Sequence, residues 1–160
     1  MSENKNSING NINEKMVAIF ENILKLEQRY VSYHIDEKVS MTEVHTIAAI
    51  GIDELKSMSE IAKMLYITVG TLTVAVNNLV KKGYAQRYKS EEDKRIVKIA
   101  LTRSGKKIYD VHKMFHNELS HTLMKGFDEK EQHVVIRALT NLEEYINLEY
   151  EEIDIRKNVK

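Results

Sequence analysis

Not one proline occurs in this chain, and the six glycines that could stop a helix are far apart, so little would interrupt long helices. With 30% of residues charged, the expected fold is mainly α, with strand scarce. A chain of 160 residues suits one compact domain, or a small module carried on a dimerising frame. It has no cysteine, which removes disulfides, thiolate metal sites and thiol nucleophiles and fits a reducing cytoplasm. Met1 to Asn13 is polar, without the apolar run of a signal peptide, and no stretch approaches the roughly 18 apolar residues of a membrane span. The expected location is cytoplasmic, with no membrane partner.

The helices can be placed by their stops. Residues 1–12 read as a disordered polar tail. From Ile12 through Met16, Ile19, Phe20, Ile23 and Leu24 to Tyr30 and Val31, apolar residues then recur at three- and four-residue spacing, one face of a helix running to about Tyr33. Ser40 with Glu43 forms a capping box for a helix that Gly51 ends, and Ser57 with Glu60 repeats the device. Thr68 caps a further helix that reaches Lys82 and stops at Gly83. Two short helices across a tight turn at about Tyr66 and Ile67 give helix-turn-helix spacing. The period then changes: Tyr84, Gln86 and Tyr88, and Ile96, Val97, Ile99 and Leu101, read as the arms of a hairpin whose tip, residues 90–95, is charged. Thr102 opens a helix reaching Gly126, Asp128 with Glu131 makes a third capping box, and Val134 to Ile146 lie on the last helix.

The expected architecture is therefore a winged helix-turn-helix with a two-stranded wing over residues 40–102. Helices at residues 13–36 and 103–150 form a dimerisation frame, and residues 151–160 are a charged, fraying tail. The end helices carry more apolar surface than one small winged helix can cover, which points to a homodimer spacing two reading heads about one DNA turn apart on a pseudo-palindromic operator.

The zero net charge hides an asymmetry. Leu55 to Lys107 holds 12 Lys+Arg against 4 Asp+Glu, while the remainder holds 12 against 20. A basic module inside a neutral chain suggests a double-stranded DNA partner. A reading helix must bury one side and offer short groups on the other. Leu72, Val76 and Leu79 face inward, which leaves Val69, Gly70, Thr71, Thr73, Val74, Asn77 and Asn78 for the groove. Thr methyls suit thymine, and Asn77 or Asn78 suits adenine or a phosphate. Ser57 and Thr68 join this surface at the two helix starts, and Arg87, Lys89 and Lys94 add phosphate contacts. Lys81 and Lys82 serve equally well as favourable charges at a helix C-terminus.

Leu79-Val80-Lys81-Lys82-Gly83-Tyr84, Asp93-Lys94-Arg95 and Leu101-Thr102-Arg103-Ser104-Gly105 together resemble the signature of the MarR family of winged helix-turn-helix transcriptional regulators. Within it, four stretches are similar to the FabT-type fatty-acid biosynthesis repressors: His45-Thr46-Ile47 with Gly51, Thr68-Val69-Gly70-Thr71-Leu72-Thr73, Asn77-Asn78-Leu79, and Leu139-Thr140-Asn141-Leu142. The resemblance implies that Arg95 enters the minor groove and that Asp93 orients it. It also implies a corepressor, a long-chain acyl group on acyl carrier protein. Phe20, Ile23, Leu24, Ile47, Ile50, Met114, Phe115 and Met124 are candidates for the acyl pocket, methionine suiting flexible chains. Arg29, Arg103, Lys106 and Lys107 are candidates for contact with the acidic carrier. Two alternatives remain at this point: a MarR-type repressor released by a small aromatic or phenolic ligand, and a helical interaction protein that does not bind DNA.

An enzyme is not expected, since no nucleophile motif, phosphate loop or GxGxxG pattern occurs. His112 and His116 stand four residues apart, with His121 five further on, and a zinc ion with Asp110 or Glu118 is conceivable. The pair lacks the glutamate beside the first histidine that a zincin needs, and interface or surface is the commoner role. No metal and no cofactor are expected.

Overall fold

The computed structural model describes residues 2–36, 38–89, 93 and 96–158. Its elements in chain order are α1 (Ser2–His34), α2 (Met41–Ile50), β1 (Lys56–Ser57), α3 (Met58–Met64), α4 (Val69–Lys81), β2 (Ala85–Lys89), β3 (Val97–Leu101), α5 (Arg103–Met124) and α6 (Glu129–Asn158). Residues up to His116 pack as one compact unit, and those from Asn117 onward form a second.

Local chemistry starts and stops these helices. At α2 and α3 the serine side chain accepts the backbone N–H three residues on, and the glutamate there accepts the serine N–H, both halves of a capping box. Asp128 and Glu131 do the same before α6. Thr68 caps α4 alone, its Oγ1 accepting from the Thr71 N–H at 3.1 Å. Gly51, Gly83 and Gly126 take positive φ where helices end, a conformation that glycine adopts without steric cost. The turn between α3 and α4 places Tyr66 at φ 52°, which costs a side-chain-bearing residue about 1 kcal/mol. The turn is held by the N–H groups of Leu65, Tyr66 and Ile67, which donate to Ile61, Lys63 and Ala62. The two helices cross it at 105°, within the range of a helix-turn-helix.

Three sequence expectations change. The polar stretch read as a disordered tail is helical from Ser2: no proline breaks it, and each residue added to an existing helix gains a hydrogen bond without new nucleation. The C-terminal tail likewise continues α6 to Asn158. The wing hairpin β2–β3 gains a third strand, since β1 pairs antiparallel with β3 through Lys56↔Ile99 and Ser57↔Lys98, giving the order β1-β3-β2. Two residues are too few to show any alternation in sequence.

The core lies among α2, α3, α4 and the sheet. Ile47, Ile50, Ile61, Leu72, Val76, Leu79 and Ile99 are fully buried, and Val31 from α1, Ile35 just after it and Ile108 from α5 join them. Each such side chain contributes about 1.5–3 kcal/mol of burial. The start of α5 is tied to the end of α4 by one threonine: Thr102 N–H donates to the Tyr84 carbonyl, its Oγ1 donates to the Gly83 carbonyl at 2.6 Å, and Gly105 N–H donates back to that oxygen. Among the described residues, no single helix is long and apolar enough to cross a membrane.

Candidate nucleic-acid interface

Burying Leu72, Val76 and Leu79 at 0% exposure orients the opposite face of α4 outward. Thr68, Val69, Gly70, Thr71, Val74, Asn77 and Asn78 are all exposed, and Thr73 is half-buried. Val74, at 63%, is an apolar side chain with little to pack on, suited to a thymine methyl. The hydroxyls are already oriented: Thr71 Oγ1 lies 2.9 Å from Thr68 Oγ1, and Thr73 Oγ1 donates to the Val69 carbonyl. Their methyls and remaining lone pairs are what a partner would meet. A Cβ at Gly70 would meet only Thr68 Oγ1, at an ordinary 3.6 Å, so the chain's own packing does not require glycine there. Glycine in a helix costs about 1 kcal/mol against alanine. Without a Cβ, this first turn of α4 leaves room for another backbone to approach closely.

Arg87 connects the wing to the reading helix. Its Nη2 donates to Asn77 Oδ1 at 2.6 Å, so Asn77 is held from β2 and Asn78 is left as the better candidate for a base. Lys89 is exposed at the end of β2, and Asp93 is exposed in the tip, its carbonyl accepting from Ile96 N–H. Lys94 and Arg95, and with them the expected Asp93–Arg95 arrangement, lie outside the described residues. Ser57 has its side chain and N–H committed to the Glu60 box. The Ser57 hydrogen bonds hold the exposed Glu60 carboxyl below its usual range.

Lys82 serves structure. Its Nζ lies 2.8 Å from Glu43 and 3.2 Å from the Lys38 carbonyl, joining α4 to the start of α2. Burial pushes the Glu43 carboxyl up, but the Lys82 hydrogen bond, the Ser40 N–H and the Lys82 charge outweigh it and hold the group below its usual value.

The candidate effector residues divide. Ile47 and Ile50 are fully buried parts of the winged-helix core, and Phe115 is buried with its ring 5.4 Å from that of Tyr30. Phe20, Leu24 and Met114 are about half exposed, and Ile23 is intermediate. Met124 belongs to the second unit. Arg29, Arg103, Lys106 and Lys107 are all exposed. Arg29 borders a surface hollow with Lys25, Gln28, Ser32 and Tyr33, whereas Lys106 borders another with Leu55, Gln86 and Tyr88.

The histidine pair has a different carboxylate from those expected. His112 and His116 meet Glu27 of α1, and His45 of α2 joins them. Glu27 is 2% exposed. Burial, then the charge of His116, pushes the His112 imidazole down and favours its neutral form. The signal in the sequence was a glutamate on the apolar stripe Ile23–Glu27–Tyr30–Val31, where water cannot solvate a charge.

Known proteins match this geometry. Residues 39–97 match the profile of the MarR family. The crystal structure of Streptococcus pneumoniae FabT in complex with DNA superposes with a TM-score of 0.77 at 36% identity, covering 86% of this chain and 96% of that one. HTH-type transcriptional regulator SarZ of Staphylococcus saprophyticus is 31% identical over 108 residues, 65% of this chain and 74% of SarZ. HTH-type transcriptional regulator PchR of Bacillus subtilis is 30% identical over 106 residues, 64% of this chain and 63% of PchR.

Proposed function

The chain belongs to the MarR family of winged-helix, DNA-binding transcriptional regulators, and on that premise we propose that it represses fatty-acid biosynthesis genes, with long-chain acyl-acyl carrier protein as corepressor. The observation that carries this reading is the likeness, over nearly the whole of its partner, to FabT in complex with DNA. The outward face of α4 supports it: small polar groups, an exposed valine and an unforced glycine are what direct readout requires.

Phosphate contacts supply affinity and salt dependence, and the face of α4 supplies sequence preference. The protein acts as a homodimer. Exposed Ile12, Val17, Ile19, Phe20 and Leu24 on α1, and separately Val134, Ile136, Leu139 and Tyr145 on α6, support a second copy as the cover for each helix. An acyl chain that favours the spacing of reading heads that DNA also favours would tighten operator binding. Linkage then requires DNA to tighten acyl-carrier binding by the same factor. Exposed Arg29, Arg103, Lys106 and Lys107 offer an acidic carrier its contacts.

Footprinting across a fatty-acid gene promoter tests this, with and without acyl-loaded carrier at fixed salt. The expected result is protection of a pseudo-palindromic site whose half-sites lie one turn apart, stronger with the loaded carrier. Protection released by an aromatic acid instead would replace the corepressor, and affinity equal to that for unrelated DNA would remove sequence-specific repression altogether.

A further inference from the structure

We propose that Glu27, His45, His112 and His116 form a mononuclear site for a divalent transition-metal ion of the zinc class, joining α1, α2 and α5. The His45, His112 and His116 Nε2 atoms lie 3.2, 2.9 and 3.3 Å from one carboxylate oxygen, Glu27 Oε1, and His112 and His116 Nε2 are 3.1 Å apart. Zinc binds imidazole nitrogen and carboxylate oxygen at about 2.0–2.1 Å, so neighbouring ligand atoms of a regular tetrahedron stand about 3.3 Å apart. Four of the six separations already fall at or just under that spacing, and the Glu27, His45 and His112 ligand atoms all lie within 4.8 Å of one another; His116, beside Glu27 and His112, completes the set by closing toward His45.

Satisfying a buried carboxylate does not explain the arrangement. One or two donors would serve Glu27, yet three imidazoles crowd the same oxygen, and two of them face each other nitrogen to nitrogen. An N–H of one can donate to the bare nitrogen of the other, but that nitrogen then has no proton to give Glu27, whereas an ion at the centre would use the lone pairs of both. The donor set also selects the ion. Three nitrogens and one carboxylate oxygen suit zinc and its neighbours, whereas calcium and magnesium need six or more oxygens. With no cysteine in the chain, a histidine–carboxylate set is the available way to hold such an ion tightly. The ligands come from three helices, and α2 belongs to the winged-helix core, so a bound ion would fix the long α1 helix against the reading head. This inference concerns the chain alone and stands whether or not an acyl carrier is its corepressor.

The test uses the full chain, stripped with a chelator and titrated with Co2+ and then with Zn2+ against a chromophoric competitor. One equivalent per chain should bind, with the intense visible bands of four-coordinate cobalt, and the thermal midpoint should rise with free metal. His116 is 47% exposed, so His116→Ala should fold, as circular dichroism would verify. It should lose affinity by more than the roughly 10–100-fold typical of removing an outer-sphere partner, while His121→Ala keeps wild-type affinity. Glu27→Gln provides a second reading at the buried ligand. Substoichiometric binding, an octahedral cobalt spectrum, or equal affinity in the wild type and His116→Ala would each overturn the proposal.

Discussion

Gly105→Ala tests whether the start of α5 is set flush against the end of α4. A Cβ there would stand 2.0 Å from the Tyr84 carbonyl oxygen and 3.3 Å from Leu101 Cβ. Carbon and oxygen sit comfortably at about 3.3 Å, so more than an ångström of movement is required. Tyr84 cannot easily supply it: its N–H donates to Leu79, its carbonyl accepts from Thr102, and its side chain is buried. Lifting α5 instead breaks the Thr102 bonds to Gly83 and Tyr84, about 1 kcal/mol each, on top of an overpacking cost of about 1–3 kcal/mol. Alanine returns up to about 1 kcal/mol of helix propensity, leaving a net loss of about 2–4 kcal/mol. For a chain of this size that lowers the thermal midpoint by about 4–16 °C, measured by calorimetry at matched protein concentration because a dimer's midpoint depends on it. Ser104→Ala, exposed in the same turn, should leave it unchanged. A Gly105→Ala protein melting within about 2 °C of wild type, or above it as an ordinary helical glycine replacement would, refutes the close contact.

Gly70→Ala should do the reverse, raising stability by about 0.5–1 kcal/mol in thermal melts while weakening operator binding in a mobility shift; unchanged binding would remove the close approach argued for Gly70. Arg87→Ala should weaken operator binding and lower the salt slope by about 0.9 for each phosphate that the guanidinium neutralises. A weaker complex with an unaltered slope would instead limit Arg87 to positioning Asn77. Because the folded Glu43 carboxyl titrates below its ordinary value of 4.5, its stabilising effect is fully present above that value and fades as the pH falls through the lowered one. Glu43→Gln should therefore cost about 1–2 kcal/mol in urea denaturation at pH 7, with the difference from wild type shrinking below pH 4.5; a constant difference would discard the charge argument. If the metal site couples to the reading head, zinc should change the operator affinity of the wild type severalfold and leave that of His116→Ala unmoved.

What could be read from the sequence depended on how far apart the interacting groups lie along the chain. Ser40 with Glu43, Ser57 with Glu60 and Asp128 with Glu131 act across three residues, so their identity alone announces a helix start. The inward trio Leu72, Val76 and Leu79 is likewise settled within one helix by its period. β1 was invisible because Lys56 and Ser57 become a strand only by meeting Ile99 and Lys98, more than forty residues on. The Glu27 cluster was hidden for the same reason. His112 and His116 advertise each other four residues apart, which drew attention to nearby carboxylates on their own helix, while the true partner is 85 residues before His112. Gly105 stood in a recognisable motif, but its reason, the carbonyl of Tyr84, shows only once α5 turns back on the strand.

The basic block does two jobs that its net charge conceals. Lys56 donates to the Ile50 carbonyl, Lys82 to Glu43 and Arg87 to Asn77, so these three cations help hold α2, α4 and the wing in register. Their positive charge still adds to the surface potential, but their geometry is committed to the fold. Arg103, Lys106 and Lys107 are placed differently. They lie in the first turns of α5, which has no acidic residue in its first turn, at the end where the helix dipole is itself positive. Cations there are unfavourable by about a few tenths of a kcal/mol each. Such placement makes sense when an anion from outside the chain is to be met, because dipole and side-chain charge then act on it together. A DNA phosphate and an acidic carrier surface both satisfy that requirement, and salt weakens both contacts. The two are separated by Lys106→Glu: if the cluster serves DNA, operator binding falls without any carrier present, and if it serves the carrier, only the carrier-dependent increment is lost.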